Sequence, residues 1–397
     1  VLLEGALMPL QVLWTREPVL TSDEALEIIT YPKWLYNFAK DLFAEMEEPE
    51  MAFLKLPFMA DQEVREVVQF KLAHNMISGA GYDVLTTMFR LLWESHLLIE
   101  QTLKMVDNPC VMCSFGKDSL IVLHMVLQHK PDVYVLWNNT TVEFDSTVKL
   151  ARSLTKEWRL RLIEAQPSIT FWDIKNKYGW PEKGRQRGKK AEDKGDNASS
   201  KCCYYLKKKP TMQKIKEHGI NSTITGLTRF ESDIRELSAQ QNEPLFYSTS
   251  WNGYRCHPIM NWDSETVLEY TNYYSLPVND VYRPVPDDED LYEEKYDWRN
   301  RANDDTRFQF EDQYFVNKLV PGYEPRTGCW ACQIGAKFGK RRYMRMFYPQ
   351  YFNILVSKMG LGDVLIKRKY PESEQGMFGL PTVDEMLMQR PCFFDKT

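Results

Sequence analysis

The hexapeptide Ser114-Phe115-Gly116-Lys117-Asp118-Ser119 concentrates residue types that bind phosphate. It lies between two apolar runs, Pro109-Cys110-Val111-Met112-Cys113 and Leu120-Ile121-Val122-Leu123-His124-Met125-Val126-Leu127. The first is short enough for a buried strand, and the second has the length of a packed helix. A strand turning sharply into a helix leaves the first-turn N–H groups unpaired, backed by the positive end of the helix dipole. Such a turn is an anion site, and Gly116 lets the backbone approach a phosphate closely. Ser114 and Ser119 add hydroxyl donors and Lys117 adds charge, while Asp118 can hold a metal ion or orient the loop. The Gly-x4-Gly-Lys-Ser/Thr spacing of a Walker loop is missing. The plain alternative is an ordinary strand–helix turn with a serine cap.

Cysteines supply the second chemical pattern. Cys202 and Cys203 are adjacent, and Cys329-Trp330-Ala331-Cys332 forms a Cys-x2-Cys pair far downstream. Four thiolates in two clusters suit a [4Fe–4S] cluster, one per iron, or a structural zinc. Spacing alone leaves both open, beside a third reading as buried cysteines. Lys201, Lys207, Lys208 and Lys209 around the first pair favour thiolates and offset an anionic cluster. Cys110 and Cys113 share the Cys-x2-Cys spacing, but residues three apart on a strand point to opposite faces. They read as core.

These groups need a scaffold to position them. Residues 108–282 alternate strand and helix, which predicts an α/β, doubly wound, mainly parallel sheet. Further strands are expected at Val133-Tyr134-Val135-Leu136-Trp137, at Leu160–Ala165 and at Ser222-Thr223-Ile224-Thr225-Gly226. Ligands in such sheets sit at the carboxyl ends of the strands, where Asn138-Asn139-Thr140-Thr141 and Gly226 lie. Residues 1–107 read as a helical region, serving either as a dimer or partner surface or as a cap. Residues 283–397 hold the acidic run Asp287-Asp288-Glu289-Asp290 and then the Cys-x2-Cys segment. Lys183-Gly184-Arg185-Gln186-Arg187-Gly188-Lys189-Lys190 is a basic loop that either tracks phosphates or is simply solvated.

Bulk properties set limits. A chain of 397 residues with 43% hydrophobic content supports a substantial core. A net charge of −5 argues against a protein that coats nucleic acid generally, yet permits a local basic patch. No apolar run is long enough to span a bilayer, and Val1-Leu2-Leu3-Glu4 lacks the basic start of a signal peptide. Clustered cysteines too sparse for a disulfide scaffold point to a reducing cytoplasm.

Several landmarks in order resemble the adenylyl sulfate and phosphoadenylyl sulfate (APS/PAPS) reductase family, within the PP-loop ATP pyrophosphatases and their adenine nucleotide alpha hydrolase-like fold. The hexapeptide is similar to the PP-loop. Asn139-Thr140-Thr141-Val142-Glu143-Phe144 resembles a family strand end, and Cys202-Cys203-Tyr204-Tyr205-Leu206-Lys207 its double-cysteine segment. Gly226-Leu227-Thr228-Arg229-Phe230-Glu231-Ser232-Asp233-Ile234-Arg235 resembles the Gly-x-Arg-x-x-Glu-Ser-x-x-Arg signature. His257-Pro258-Ile259-Met260-Asn261-Trp262 and Leu276-Pro277-Val278-Asn279-Asp280-Val281-Tyr282 match later elements. Three positions depart from the pattern. Phe115 and Thr141 stand where glycine is usual, and Thr228 takes the place of the first arginine, which shifts to Arg229. The reductases' Glu-Cys-Gly-Leu-His segment has no counterpart in this sequence, where Cys392 is the thiol of the final residues.

The resemblance implies an enzyme that binds a nucleotide through Ser114, Phe115, Gly116, Lys117, Asp118, Ser119, Asn139, Thr140, Gly226, Arg229 and Glu231. Lys117, Asp118, Arg229 and Arg235 would be catalytic, with Asp118, and more weakly Glu143, holding Mg²⁺ for ATP. Cys202, Cys203, Cys329 and Cys332 would hold the [4Fe–4S] cluster, or zinc. Without the reductase thiol, the expected chemistry is adenylation of a substrate oxygen, pyrophosphate release and sulfur insertion. That is closest to the DNA phosphorothioation proteins of the DndC and SspD types. The implied partners are DNA through the basic loop, a cysteine desulfurase as sulfur donor, modification-complex proteins and a second copy of the chain. The alternatives are an APS/PAPS reductase, a tRNA thiolase and a non-enzymatic nucleotide-sensing scaffold.

Overall fold

Buried β-rich tetrads and pentads, each followed by an amphipathic stretch, build the scaffold. The computed structural model describes residues 79–182, 198–282, 316, 320–321, 323–370, 380–389 and 391–395. The basic loop 183–190, the acidic run 287–290 and the helices expected before residue 79 lie outside the described residues. A boundary after Ser95 sets off the unit His96–Thr397, which contains the whole sheet.

Helix α1 (Gly79–Met105) precedes β1 (Pro109–Met112), α2 (Lys117–His129), β2 (Tyr134–Asn138), α3 (Asp145–Glu157) and β3 (Arg161–Ala165). Then come α4 (Phe171–Tyr178), α5 (Ala198–Cys203), a π-helical turn Tyr204–Lys208, α6 (Lys209–Glu217) and β4 (Ser222–Thr225). A 3₁₀ turn Arg229–Glu231, α7 (Asp233–Gln241), the strands β5 (Leu245–Ser248) and β6 (Gly253–Cys256), and α8 (Ser264–Tyr273) complete this part. The C-terminal part adds α9 (Lys340–Phe347), α10 (Pro349–Asn353), α11 (Leu361–Lys369), α12 (Val383–Gln389) and a 3₁₀ turn Pro391–Asp395.

Strand order is β3-β2-β1-β4-β6-β5. All neighbours are parallel except β5 and β6. The four sequence-predicted strands are present, and the mixed edge made by β5 and β6 is additional. Val111 of β1 aligns with Val135 of β2 and Ile224 of β4, all fully buried, as parallel central strands require. Cys110 points the other way, into a cluster with Leu136, Ile163, Ala165, Ile215 and Ile220. It is a core residue, as its strand position predicts.

After β1 the chain winds outward to β3, then returns to the opposite side of β1 as β4. The crevice between β1 and β4 is therefore the switch point, where open α/β sheets bind ligands. The C-terminal helices do not stand apart: Tyr343, Leu355 and Phe394 share one core with Val142, Phe171, Cys202 and Leu206. Among the described residues, no helix is long and apolar enough to cross a membrane.

Candidate functional site

The loop between β1 and α2 is organised by one hydroxyl. Ser119 Oγ accepts from Ser114 N at 3.2 Å and Gly116 N at 3.1 Å, and donates to Gly116 O at 2.9 Å. Ser119 is thus the hub of the turn more than a free donor. Tyr282 and Thr327 close in from the other side. A Cβ on Gly116 would lie 2.6 Å from Thr327 Oγ1 and 2.8 Å from the Tyr282 hydroxyl, so only glycine fits. Lys117 N donates to the Tyr282 hydroxyl, whose pKa burial pushes well up.

The two glycine departures have a common geometry. Phe115 has φ +56° and Thr141 φ +65°, the left-handed region that glycine enters without strain. This chain keeps the glycine backbone and puts a side chain on it. Phe115 is fully buried, edge-on to Trp137 at 5.7 Å. Thr141 is exposed, its N–H held by Asn139 Oδ1 at 3.0 Å.

At the switch point the end of β4 meets the start of α2. A Cβ on Gly226 would fall on the Asp118 backbone and within 2.7 Å of Ser119 N. The space opening from this contact is a cleft of about 560 Å³. Of the residues singled out from the sequence, Ser114, Gly116, Lys117, Asp118, Ser119, Gly226, Glu231 and Arg235 line it. Phe115, Asn139 and Thr140 stand behind the wall as supports. Asn139 Nδ2 bonds Glu164 Oε1 at 2.7 Å, and Thr140 Oγ1 bonds Glu143 Oε1 at 2.6 Å. Arg229 is not on the wall: its guanidinium is held by Glu236, at 2.7 Å through Nε and 2.6 Å through Nη2. The Arg229 clamp expected from the sequence is placed elsewhere, because Glu236 in α7, seven residues on, captures it.

Sequence reasoning missed Trp251, Arg255, Tyr282 and Glu324–Gly328 as site residues, and these also line the cleft. Trp251 and Arg255 come from the turn and second strand of the β5–β6 edge. Asn252-Gly253, with Asn252 at φ +50°, is the hairpin signal that marks this turn. Three of the cleft's cations have carboxylate partners. Lys117 Nζ lies 2.9 Å from Asp118 Oδ1, Arg235 pairs with Glu231, and Arg326 with Glu324 at 3.4 Å. His257, bonded to Thr225 Oγ1 at 2.7 Å, has its pKa pushed down to about 3 by burial, with Arg255 and Arg235 adding repulsion.

Of the four cysteines of the second pattern, Cys203, Cys329 and Cys332 lie near enough to Cys202 to act on its charge, and one lines the same cleft. Cys203 lines it directly, at the end of α5 where the chain widens into the π-helical turn. Residue 329 is fixed by a bridge to Glu143, by Trp330 N to Val142 O at 2.9 Å, and by Cys329 Sγ to Thr140 Oγ1 at 3.3 Å. Burial raises the Cys202 thiol pKa, and its neighbours Cys329, Cys203 and Cys332 raise it further. Burial also pushes Cys329 up to about 11, while Lys207 pulls it down. Cys329 in turn raises the Lys207 pKa. Lys340 Nζ donates to Cys329 O at 2.8 Å. Among the described residues, no group of three or more His, Cys, Asp or Glu side chains is set to hold a metal ion. Cys113 is buried beneath the loop, its thiol pushed up to about 11 by burial. Cys392 is exposed and does not line the cleft.

The phosphoadenosine phosphosulfate reductase domain model matches residues 108–333, which contain both the loop and all four cysteines. The chain belongs to this family. The adenosine 5'-phosphosulfate reductase of Bacillus cytotoxicus is 25% identical over 177 residues, 44% of this chain and 68% of that protein. The phosphoadenosine 5'-phosphosulfate reductase of Xylella fastidiosa is 25% identical over 202 residues, 47% of this chain and 77% of that protein. Among solved structures, the phosphate complex of phosphoadenylyl-sulfate reductase from Candida auris aligns with a TM-score of 0.36 at 20% identity, covering 52% of this chain and 88% of that one. The tRNA thiolase NcsA of Methanococcus maripaludis, with its [4Fe-4S] cluster, gives 0.31 at 16%, covering 59% and 75%.

Proposed function

We propose that this member of the PAPS reductase-like family is a PP-loop ATP pyrophosphatase and sulfurtransferase that adenylates a substrate oxygen, with the DNA backbone phosphate as acceptor. The observation that carries this reading is the shared cleft: the phosphate loop and Cys203 line one space. In this reading the β- and γ-phosphates of ATP sit at the N-terminus of α2, against Ser114 and Lys117. An acceptor oxygen attacks the α-phosphorus as the bond to the bridging oxygen breaks, and pyrophosphate leaves with both electrons. Lys117 and Arg235 stabilise the charge on the leaving group. Asp118, paired with Lys117 in this structure, would hold Mg²⁺, which favours a carboxylate plus phosphate oxygens. Adenylation makes the acceptor oxygen a good leaving group, so the terminal sulfur of a persulfide from a cysteine desulfurase attacks the acceptor phosphorus and displaces that oxygen as AMP. A second thiol then cleaves the sulfur–sulfur bond, leaving sulfur on phosphorus and a disulfide on the donor cysteine.

The donor set suits a [4Fe–4S] cluster in type: Cys202, Cys203, Cys329 and Cys332 influence one another's charge, and Lys207 and Lys340 offset it. When bound, the cluster supplies redox or sulfur-carrying chemistry beside the nucleotide. A cytoplasmic setting and a modification complex accompany this proposal.

A second reading, an APS/PAPS reductase, is favoured by the names of the 25%-identical relatives. The deciding assay takes anaerobically purified chain with ATP, Mg²⁺ and DNA and measures pyrophosphate. Release is expected, falling by about 100-fold or more in Asp118→Ala. Undiminished release from that variant sinks the mechanism. Thioredoxin-dependent sulfite release from a sulfonucleotide, without pyrophosphate from ATP, establishes the reductase. Nucleotide binding with neither product makes the chain a sensor.

A further inference from the structure

Unneutralised positive charge in the cleft collects around one aromatic ring. The Arg255 guanidinium lies 4.8 Å from the Trp251 ring centre, and Lys208 Nζ lies 5.9 Å from it. Neither cation has a carboxylate partner among the described residues, whereas Lys117, Arg235 and Arg326 each do. The pattern continues outward from Lys208 along the chain. Lys209 Nζ stands 5.9 Å from the Tyr205 ring, and Tyr205 stacks on Tyr178 at 6.3 Å with planes 16° apart. Lys201 Nζ lies 5.6 Å from Tyr178. Tyr204 is 46% exposed on the same π-helical turn. The wider π turn makes this face possible: it carries two rings and two lysines within five residues, beside the cysteine pair.

We infer that this ledge, running from Tyr178 and Tyr205 through Lys209 and Lys208 to Trp251, binds single-stranded nucleic acid. Lysines spaced between aromatic faces are what a flexible polyanion with flat bases requires: ammonium groups meet phosphates, and rings stack on bases. A duplex hides its base faces, so Trp251 on the cleft wall can stack only on an unpaired base. Lys208 and Trp251 line the same cleft as the β1–α2 loop, so a strand held on the ledge would enter the space that the loop lines. Its role in sulfur transfer rests on the function proposed above; the binding itself does not.

The test uses the full chain and fluorescent oligonucleotides of about 12 nucleotides, a length within the span of single-strand sites. Poly-thymidine single strands and the matching duplex are titrated at several salt concentrations. Single-strand binding is expected to exceed duplex binding and to weaken steeply with salt. Trp251→Ala should weaken it about tenfold, with Trp251→Phe restoring most of the loss. Lys208→Gln with Lys209→Gln should lower the salt slope by roughly 1.4, about 0.7 per lost phosphate contact. Should Trp251→Ala misfold by circular dichroism, the exposed lysine pair decides. No single-strand binding by the wild type, tighter duplex binding, or an unchanged slope in the lysine variant overturns the inference. Pyrophosphate release from ATP, followed on the same wild-type preparation, reports separately on the adenylation reading.

Discussion

The β1–α2 loop and Cys203 line one cleft, yet the loop and the cysteine set are held in place by opposite means. The loop is local: Ser114 to Ser119 close on one hydroxyl, and its position is fixed by backbone contact with Gly226. The cysteines come from Cys202-Cys203 and Cys329-Cys332, and Cys329 is tied to the segment after β2 by an isolated bridge to Glu143 and a thiol contact with Thr140. Backbone contact tolerates no extra atom. Side-chain assembly tolerates variation in shape but depends on charge balance, here supplied by Lys207 and Lys340. The two halves should therefore fail differently.

The largest expected effect is at Gly226. Its missing Cβ leaves room for the Asp118 backbone, which cannot rotate away as a side chain would. Gly226→Ala should cost about 3 kcal/mol of stability, the upper range of overpacking, and abolish measurable nucleotide binding. Chemical denaturation and nucleotide titration check both; retained affinity would show that the β1–β4 crevice is softer than its geometry. Next is Cys329→Ser. It should lose the iron and broad visible absorbance of the anaerobically purified chain, while nucleotide affinity changes by less than about tenfold. Loss of both together would show that the two halves are one unit. Absence of iron from the wild type would remove the cluster assignment altogether.

How far these halves were legible follows from how they are built. The loop and the parallel strands were readable because their signals are contiguous: an apolar strand, a small polar turn, an apolar helix. The cysteine set was readable only as a type of chemistry, since nothing local says that residues 202 and 329 meet. The β5–β6 edge was missed because Leu245–Ser248 and Gly253–Cys256 are short and half-buried, with no long apolar run. Trp251 and Arg255 went with it. Arg229 was misplaced for another reason: sequence shows a basic residue near a signature, not that Glu236 outcompetes the ligand for it.

Acid should separate the halves more gradually. Buried His257 belongs to the loop half, bonded to Thr225 at the end of β4 and facing Arg255 and Arg235. Its pKa is lowered from 6.5 to about 3, so the folded state binds fewer protons than the unfolded chain. Its contribution is complete above pH 6.5 and drains away as pH falls toward 3, on the order of 5 kcal/mol in all. Thermal melts between pH 7 and pH 4 should show this decline, with a shallower slope in His257→Gln. Some slope remains, because burial also lowers His124, to about 4. Equal slopes for the two proteins would assign the acid sensitivity elsewhere.

The smallest effect compares the two left-handed residues. Phe115 belongs to the loop, and Thr141 to the turn beside the cysteines, next to the Thr140 hydroxyl that Cys329 contacts. Each carries about 1–2 kcal/mol of strain that glycine would relieve. Phe115→Gly should nonetheless destabilise by about 3 kcal/mol, because it empties a fully buried ring site against Trp137. Thr141 is exposed and its N–H bond to Asn139 survives the change. The relieved strain is partly offset by the roughly 0.5–1 kcal/mol that glycine's unfolded-state freedom costs. Thr141→Gly should therefore stabilise by about 0.5 kcal/mol, read as a higher urea midpoint at unchanged slope. Opposite signs from the two glycine substitutions, both in the left-handed region, would show that burial, not backbone conformation, lets this chain do without glycine in the loop. A loss at Thr141 would instead mean that its side chain has a partner in the cysteine half.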